Sequence, residues 1–101
     1  MPPPDLTHIQ FAVIEALGAR ERSGEHVREA LRKRGIKQTL AAFYMMMKRL
    51  EDAGFVSGRY EPIQVGPYRA KERHYKVTGK GYKAREKLLD WYKPLEGTEF
   101  A

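Results

Sequence analysis

The 101-residue sequence contains no cysteine and only one tryptophan. Without a thiol there is no disulfide framework, no thiolate metal site and no cysteine nucleophile, a usage that fits a reducing compartment. No stretch approaches the roughly 18 apolar residues of a membrane-spanning helix. The start, Met1-Pro2-Pro3-Pro4-Asp5, lacks the basic residues and apolar run of a secretion signal. A cytoplasmic protein with no membrane partner is expected. Catalytic signatures are absent as well: there is no glycine-rich phosphate loop, no dinucleotide fingerprint, no His-Glu-x-x-His and no nucleophile elbow. His8, His26 and His74 fall in three separate segments without metal-ligand spacing. The expectation is no enzyme, no metal and no cofactor.

What is present is a folded composition, 42% hydrophobic and 32% charged, too apolar for a disordered chain. The length is that of a single domain over 1–101. Lys and Arg number 19 against 13 Asp and Glu, a net charge of +6. The excess is local. Residues 59–85 hold eight basic side chains, Arg59, Arg69, Lys71, Arg73, Lys76, Lys80, Lys83 and Arg85, against Glu61 and Glu72, and the rest of the chain nets to zero. Such a run suits a solvated surface as well as a polyanion-binding one. The elements around it have to decide.

Leu6, Ile9, Val13, Ala16 and Leu17 fall on one helical stripe that ends at Gly18. Phe11 and Ile14 lie off that stripe, which predicts a second apolar surface with its own partner. Ser23 reads as the N-cap of a second helix ending near Arg34, with Glu25 in its first turn. Thr39 caps a third helix over Leu40 to Ala53, with Leu40, Phe43, Met47 and Leu50 predicted inside. Its other side collects Ala41, Ala42, Met45, Lys48, Arg49 and Asp52, with Tyr44 on the flank. After Gly54 the pattern changes to two short strand-like runs, Phe55 to Tyr60 and Arg73 to Val77. The connection between them, containing two prolines and a glycine, is predicted to project as a basic loop. Thr78 caps a fourth helix to about Lys93, of which Ala84, Leu88, Leu89, Trp91 and Tyr92 make roughly half the circumference apolar. A face that wide predicts contact with a second chain.

Three helices followed by a hairpin with a basic loop is the order of a winged helix-turn-helix, in which the third helix enters the major groove and the wing follows the backbone. Particular motifs bring it closer to one family. Ser23-Gly24-Glu25-His26-Val27 resembles the S-G-Y-E-I that opens the second helix of PadR-like transcriptional regulators. Thr39 to Tyr44 followed by Lys48-Arg49-Leu50-Glu51-Asp52-Ala53-Gly54-Phe55-Val56 is similar, without gaps, to the family's S-x-x-x-L-Y-x-x-L-K-R-L-E-x-x-G-L-V. Arg73-His74-Tyr75-Lys76-Val77-Thr78 resembles the R-Y-Y-x-L-T that ends its wing. The likeness spans about residues 6–93. Glu25 departs from it where an aromatic residue is usual, as does Met45 where a polar or basic one is frequent.

The resemblance implies a mainly α fold with a small β-hairpin: a winged helix-turn-helix over 5–77, a C-terminal dimerisation helix over 78–95 and a tail over 96–101. It implies a homodimeric regulator, pseudo-palindromic operator sites in duplex DNA, and repression as the mode of action. The candidate DNA contacts are Lys37, Thr39, Ala41, Ala42, Tyr44, Met45, Lys48, Arg49, Arg69, Lys71 and Arg73. The candidate dimer interface is Phe11, Ile14, Leu88, Trp91, Tyr92 and Leu95. Some members of the family also imply a small aromatic effector against residues like Trp91 and Tyr92, but dimer packing without a ligand is the preferred reading of both. The alternative to DNA binding is a winged-helix protein-interaction module whose basic wing serves solubility.

Overall fold

The computed structural model describes residues 5–93. Helix α1 spans His8–Leu17, strand β1 Arg22–Ser23, helix α2 Gly24–Lys33, helix α3 Leu40–Asp52, strand β2 Val56–Val65, strand β3 Tyr68–Val77 and helix α4 Gly79–Trp91. The strands form an antiparallel sheet in the order β1-β3-β2. This is a mainly α winged helix-turn-helix followed by one further helix.

Every helix begins at a hydroxyl that satisfies a first-turn amide. Thr7 closes a reciprocal box, its hydroxyl accepting from the Gln10 amide at 3.1 Å while its own amide donates to Gln10 Oε1 at 3.0 Å. Ser23, Thr39 and Thr78 accept from the amides of His26, Ala42 and Gly81. Thr78 also donates its hydroxyl to the Gly54 carbonyl at 2.6 Å, tying the start of α4 to the end of α3. The last three caps are those expected from the sequence; α1 starts two residues later than expected, although Leu6 remains buried.

The core lies between α1, α2, α3 and the root of the sheet, with Val13, Leu17, Val27, Phe43, Met47, Leu50 and Val56 all at or below 2% exposure. Two assignments on the helical wheel are corrected. Ile14 is 1% exposed and belongs to the protein's own core, so it is not part of an outer apolar surface. The reason is that this ten-residue helix packs against α2, β3 and α4 together, which buries an arc much wider than one stripe. Leu40, expected inside, is 53% exposed, because the first turn of α3 reaches past the core; Met46 is buried instead.

The wing departs furthest from expectation. There is no long loop: β2 and β3 each run ten residues, from the Val56–Val77 pair at the root to Val65–Tyr68 at the tip, and close through Gly66 and Pro67. Gly66 has φ +59°, and a left-handed first residue followed by proline suits a two-residue hairpin turn. Pro62 is accommodated because β2 is a sheet edge, where a missing amide donor costs no ladder bond. Strand β1, two residues pairing Arg22 with Tyr75 and Ser23 with His74, is too short to be legible by periodicity.

Gly81 marks the closest approach of α4 to the sheet root. A Cβ there would stand 2.1 Å from the Phe55 carbonyl oxygen and 2.8 Å from Val77 Cγ1. Gly81→Ala is expected to destabilise the fold by about 2 kcal/mol through overpacking, read as a lower denaturant midpoint at unchanged slope.

Candidate nucleic-acid interface

The exposed side of α3 is set by what the helix buries. With Phe43, Met47 and Leu50 enclosed, Ala41, Ala42, Met45, Lys48 and Arg49 face solvent, Met45 at 57% exposure. Two alanines in the first turn leave the backbone open to close approach. Lys37 and Thr39 are exposed just before the helix, and Thr39 uses its oxygen to accept from Ala42, leaving its hydroxyl proton to donate outward. Lys48 pairs with Asp52 at 3.4 Å, both side chains largely exposed.

Tyr44 stands at the edge of this face. Its ring meets Phe43 edge-on at 5.0 Å, and a Cβ at Gly24 would come within 2.9 Å of its hydroxyl oxygen, so the missing side chain at the start of α2 is what seats the ring. Burial, with the Glu25 carboxylate close by, raises its hydroxyl above the usual tyrosine range.

Because side chains alternate along a strand, Arg69, Lys71 and Arg73 share one face of β3. It is the face of Tyr75 and Val77, which are buried in the core, and the stripe therefore lies on the α3 side of the wing. Opposite it in register stand Gln64, Pro62 and Tyr60. Between α3 and the wing runs a groove of about 740 Å³, lined among others by Tyr44, Lys48, Glu51, Tyr60, Lys71 and Arg73.

The three basic residues of the stripe do not form one set. Arg69 and Lys71 are exposed, and among the described residues neither pairs with a carboxylate. Arg73 is held inside the root of the wing: Nη2 donates to Glu51 Oε1 at 2.6 Å and the guanidinium lies 4.6 Å from the Tyr60 ring centre. Burial works against its charge, and the hydrogen bond and charge of Glu51 outweigh it, so its pKa is raised. The expectation of three cations on a projecting loop is corrected to two cations on a strand plus one sequestered at its base. The partnership with Glu51 carried no sequence signal, because 22 residues separate the pair.

The second candidate surface is formed by α1 and α4. Leu6, Phe11, Ala12, Leu88, Leu89 and Tyr92 line a largely apolar groove of about 450 Å³, with Ile36 and the polar His8 and Arg34 also in its lining. Leu88 is buried and Phe11 half-buried, while Leu89, Trp91 and Tyr92 are 43%, 42% and 73% exposed. Leu89, read from the sequence as part of the wide apolar face of the fourth helix, is exposed beside this groove, whereas Ile14 is enclosed in the core. Leu95 and the tail 96–101 lie outside the described residues. No helix among the described residues is long and apolar enough to cross a membrane.

No family model and no curated protein matches the chain. Solved structures do. A PadR family transcription regulator from Clostridium difficile R20291 superposes with a TM-score of 0.68 at 21% identity, covering 84% of this chain and 88% of that one. A PadR-like transcription factor from Bacteroides fragilis gives 0.66 at 18% identity, covering 81% and 77%. Bacillus subtilis PadR, solved in complex with operator DNA, gives 0.66 at 21% identity; 90% of this chain is covered but only 53% of that one, so this chain spans about half its length. The fold is thus that of the PadR-like winged-helix regulators.

Tyr75, in the core at the sheet root, sets a pH limit. Burial, reinforced by the charge of Glu51 and by Tyr44, pushes its hydroxyl up to about 12 from an ordinary value of 10. The unfolded chain gives up this proton near pH 10 while the folded one keeps it, so stability is full below pH 10 and is lost as pH rises toward about 12. Tyr75→Phe is expected to flatten that alkaline decline, measured as the denaturant midpoint against pH; an unchanged decline contradicts the assignment.

Proposed function

We propose that the chain is a DNA-binding transcription regulator of the PadR-like kind, acting as a homodimeric repressor on a pseudo-palindromic operator. The observation that carries this reading is that the small, soft and basic face of α3 and the exposed Arg69 and Lys71 lie on one side of the molecule. In this reading α3 enters the major groove, where Lys48 and Arg49 meet guanine edges or phosphates and Met45 can touch a thymine methyl. Arg69 and Lys71 follow the backbone, and Tyr44 and Thr39 donate hydroxyl protons to phosphate oxygens. Lys37 extends this contact before the helix. The reading is supported by the likeness in fold to a PadR solved on operator DNA.

Association in this reading uses the α1–α4 groove. Leu88 and Phe11 form its floor, and Leu89, Trp91 and Tyr92 reach the second subunit. Two subunits place two α3 helices about one helical turn apart on DNA. A small aromatic effector against Trp91 and Tyr92 is the form of control the arrangement allows.

About four phosphates neutralised per subunit give log K against log salt a slope near −7. Arg69→Ala or Lys71→Ala, removing one contact from each subunit, is expected to flatten the slope by about 2 with unchanged circular dichroism. An unchanged slope supports the interaction-module reading instead. For the dimer, Leu89→Glu and Trp91→Ala are expected to shift light scattering at micromolar concentration from dimer toward monomer; a wild-type chain that is already monomeric there overturns this part.

A further inference from the structure

The wing is a lever. From Pro62 to Lys71 every residue except Ile63 is exposed, so the distal hairpin is placed by its root. From Arg73 to the turn at Pro67 is about 20 Å of strand at about 3.3 Å per residue. A rotation of about 10° at the root therefore moves the tip by roughly 3.5 Å, the distance between neighbouring phosphates along the helix axis.

Two adjacent rows of the hairpin, Tyr60–Arg73 and Arg59–His74, carry contacts on opposite faces. On the α3 side Arg73 is fixed by Glu51, from the last turn of α3, and by the Tyr60 ring. On the other side Arg59 donates to Glu21 Oε2 at 3.0 Å and also pairs with Glu61, while His74 Nδ1 lies 3.7 Å from Glu21 Oε1. Glu21 precedes β1, so the second contact ties the wing to the connection between α1 and α2. Gly58, in the strand interior without a positive φ, has a different reason to be glycine: a Cβ there would stand 1.7 Å from Glu51 Oε1 and 2.8 Å from Arg73 Nη2. The space left by Gly58 is occupied by the ion pair.

We infer that Glu51, Arg73 and Gly58 form a clamp that sets the angle between α3 and the wing, which makes them positioning residues for DNA binding rather than contacts to it. The inference deepens the DNA-binding reading and rests on it for its consequence, while the clamp itself is testable without DNA. It also accounts for a carboxylate near a surface meant for a polyanion. As a bare surface charge Glu51 opposes binding, and its neutralisation would tighten it. As a clamp its loss loosens the wing and weakens binding.

The absence of cysteine allows spin labels at Ala41→Cys on α3 and Gln64→Cys near the wing tip, both exposed. Pulsed electron resonance on the DNA-free protein then reads the distance between them. Glu51→Gln and Gly58→Ala are each expected to broaden that distribution while the far-ultraviolet spectrum stays unchanged. The two variants reach the clamp from different sides, one by removing the charge and one by displacing the carboxylate. Against duplex DNA selected for wild-type binding, each is expected to lose affinity on the order of tenfold with the salt slope unchanged, unlike Arg69→Ala or Lys71→Ala. A distribution as narrow as wild type in both variants, or tighter binding by Glu51→Gln, overturns the clamp. Broadening in a protein whose wild type binds no duplex DNA leaves the clamp standing and overturns the functional reading.

Discussion

Helix α3 cannot roll, and the orientation of every other functional group follows from that. Phe43, Met47 and Leu50, at i, i+4 and i+7, are fully enclosed, each burial contributing about 1.5–3 kcal/mol. Turning the helix by one residue, about 100°, would bring them to solvent together. The opposite arc is therefore fixed as Ala41, Met45, Lys48 and Arg49 whatever the surface composition. The caps reinforce this at both ends: Thr39 fixes where the helix begins, while Thr78 and Lys80 hold the carbonyls of Gly54 and Ala53 where it ends.

The wing inherits its orientation from the same core. Strand β3 buries Tyr75 and Val77 in the core against α1, α2 and α4, and with period 2 that phase carries outward to Arg73, Lys71 and Arg69. A single residue inserted between Arg73 and Tyr75 would turn the basic stripe to the far side of the wing. The distal part of the far side holds Ala70 and Tyr68 opposite Ile63 and Val65, with no charge to offer a phosphate, and nearer the root Arg59 is already paired with Glu21 and Glu61. One strand thus serves two purposes, because the residues that anchor it to the core also set the direction of the residues that leave it.

The legibility of these features in the sequence follows the range of the forces involved. Ser23, Thr39 and Thr78 were readable as caps because a cap is decided within three residues. Fold class followed from element order, and the motifs around Lys48 to Val56 pointed to the right family of folds. The wing was misread because Gly66, Pro67 and Pro62 look like a loop until the edge position of β2 is known. Ile14 was misread because a wheel shows one partner and α1 has three. Leu40 was misread because periodicity does not reveal where a helix outruns its core. The Glu51–Arg73 pair and the glycine that makes room for it were illegible for a simpler reason: nothing local relates residues 51, 58 and 73.

Net charge, finally, overstates the charge available to a ligand. Lys48 and Arg73 both face the groove and both have carboxylate partners, but the partnerships differ in kind. Lys48 and Asp52 are an exposed i,i+4 pair, with the cation N-terminal to the anion, the weaker orientation on a helix. Such a pair is worth about 0.3–0.5 kcal/mol, so an incoming phosphate displaces Asp52 at little cost. Arg73 and Glu51 are sheltered, with side chains 25% and 22% exposed, and the guanidinium is also stacked on an aromatic ring. Removing either partner leaves the other half-buried and uncompensated, which holds the pair together in the presence of a polyanion. The same formal count of one lysine or arginine beside one carboxylate therefore yields a mobile ligand-seeking cation in one place and a fixed structural one in the other, and exposure decides which.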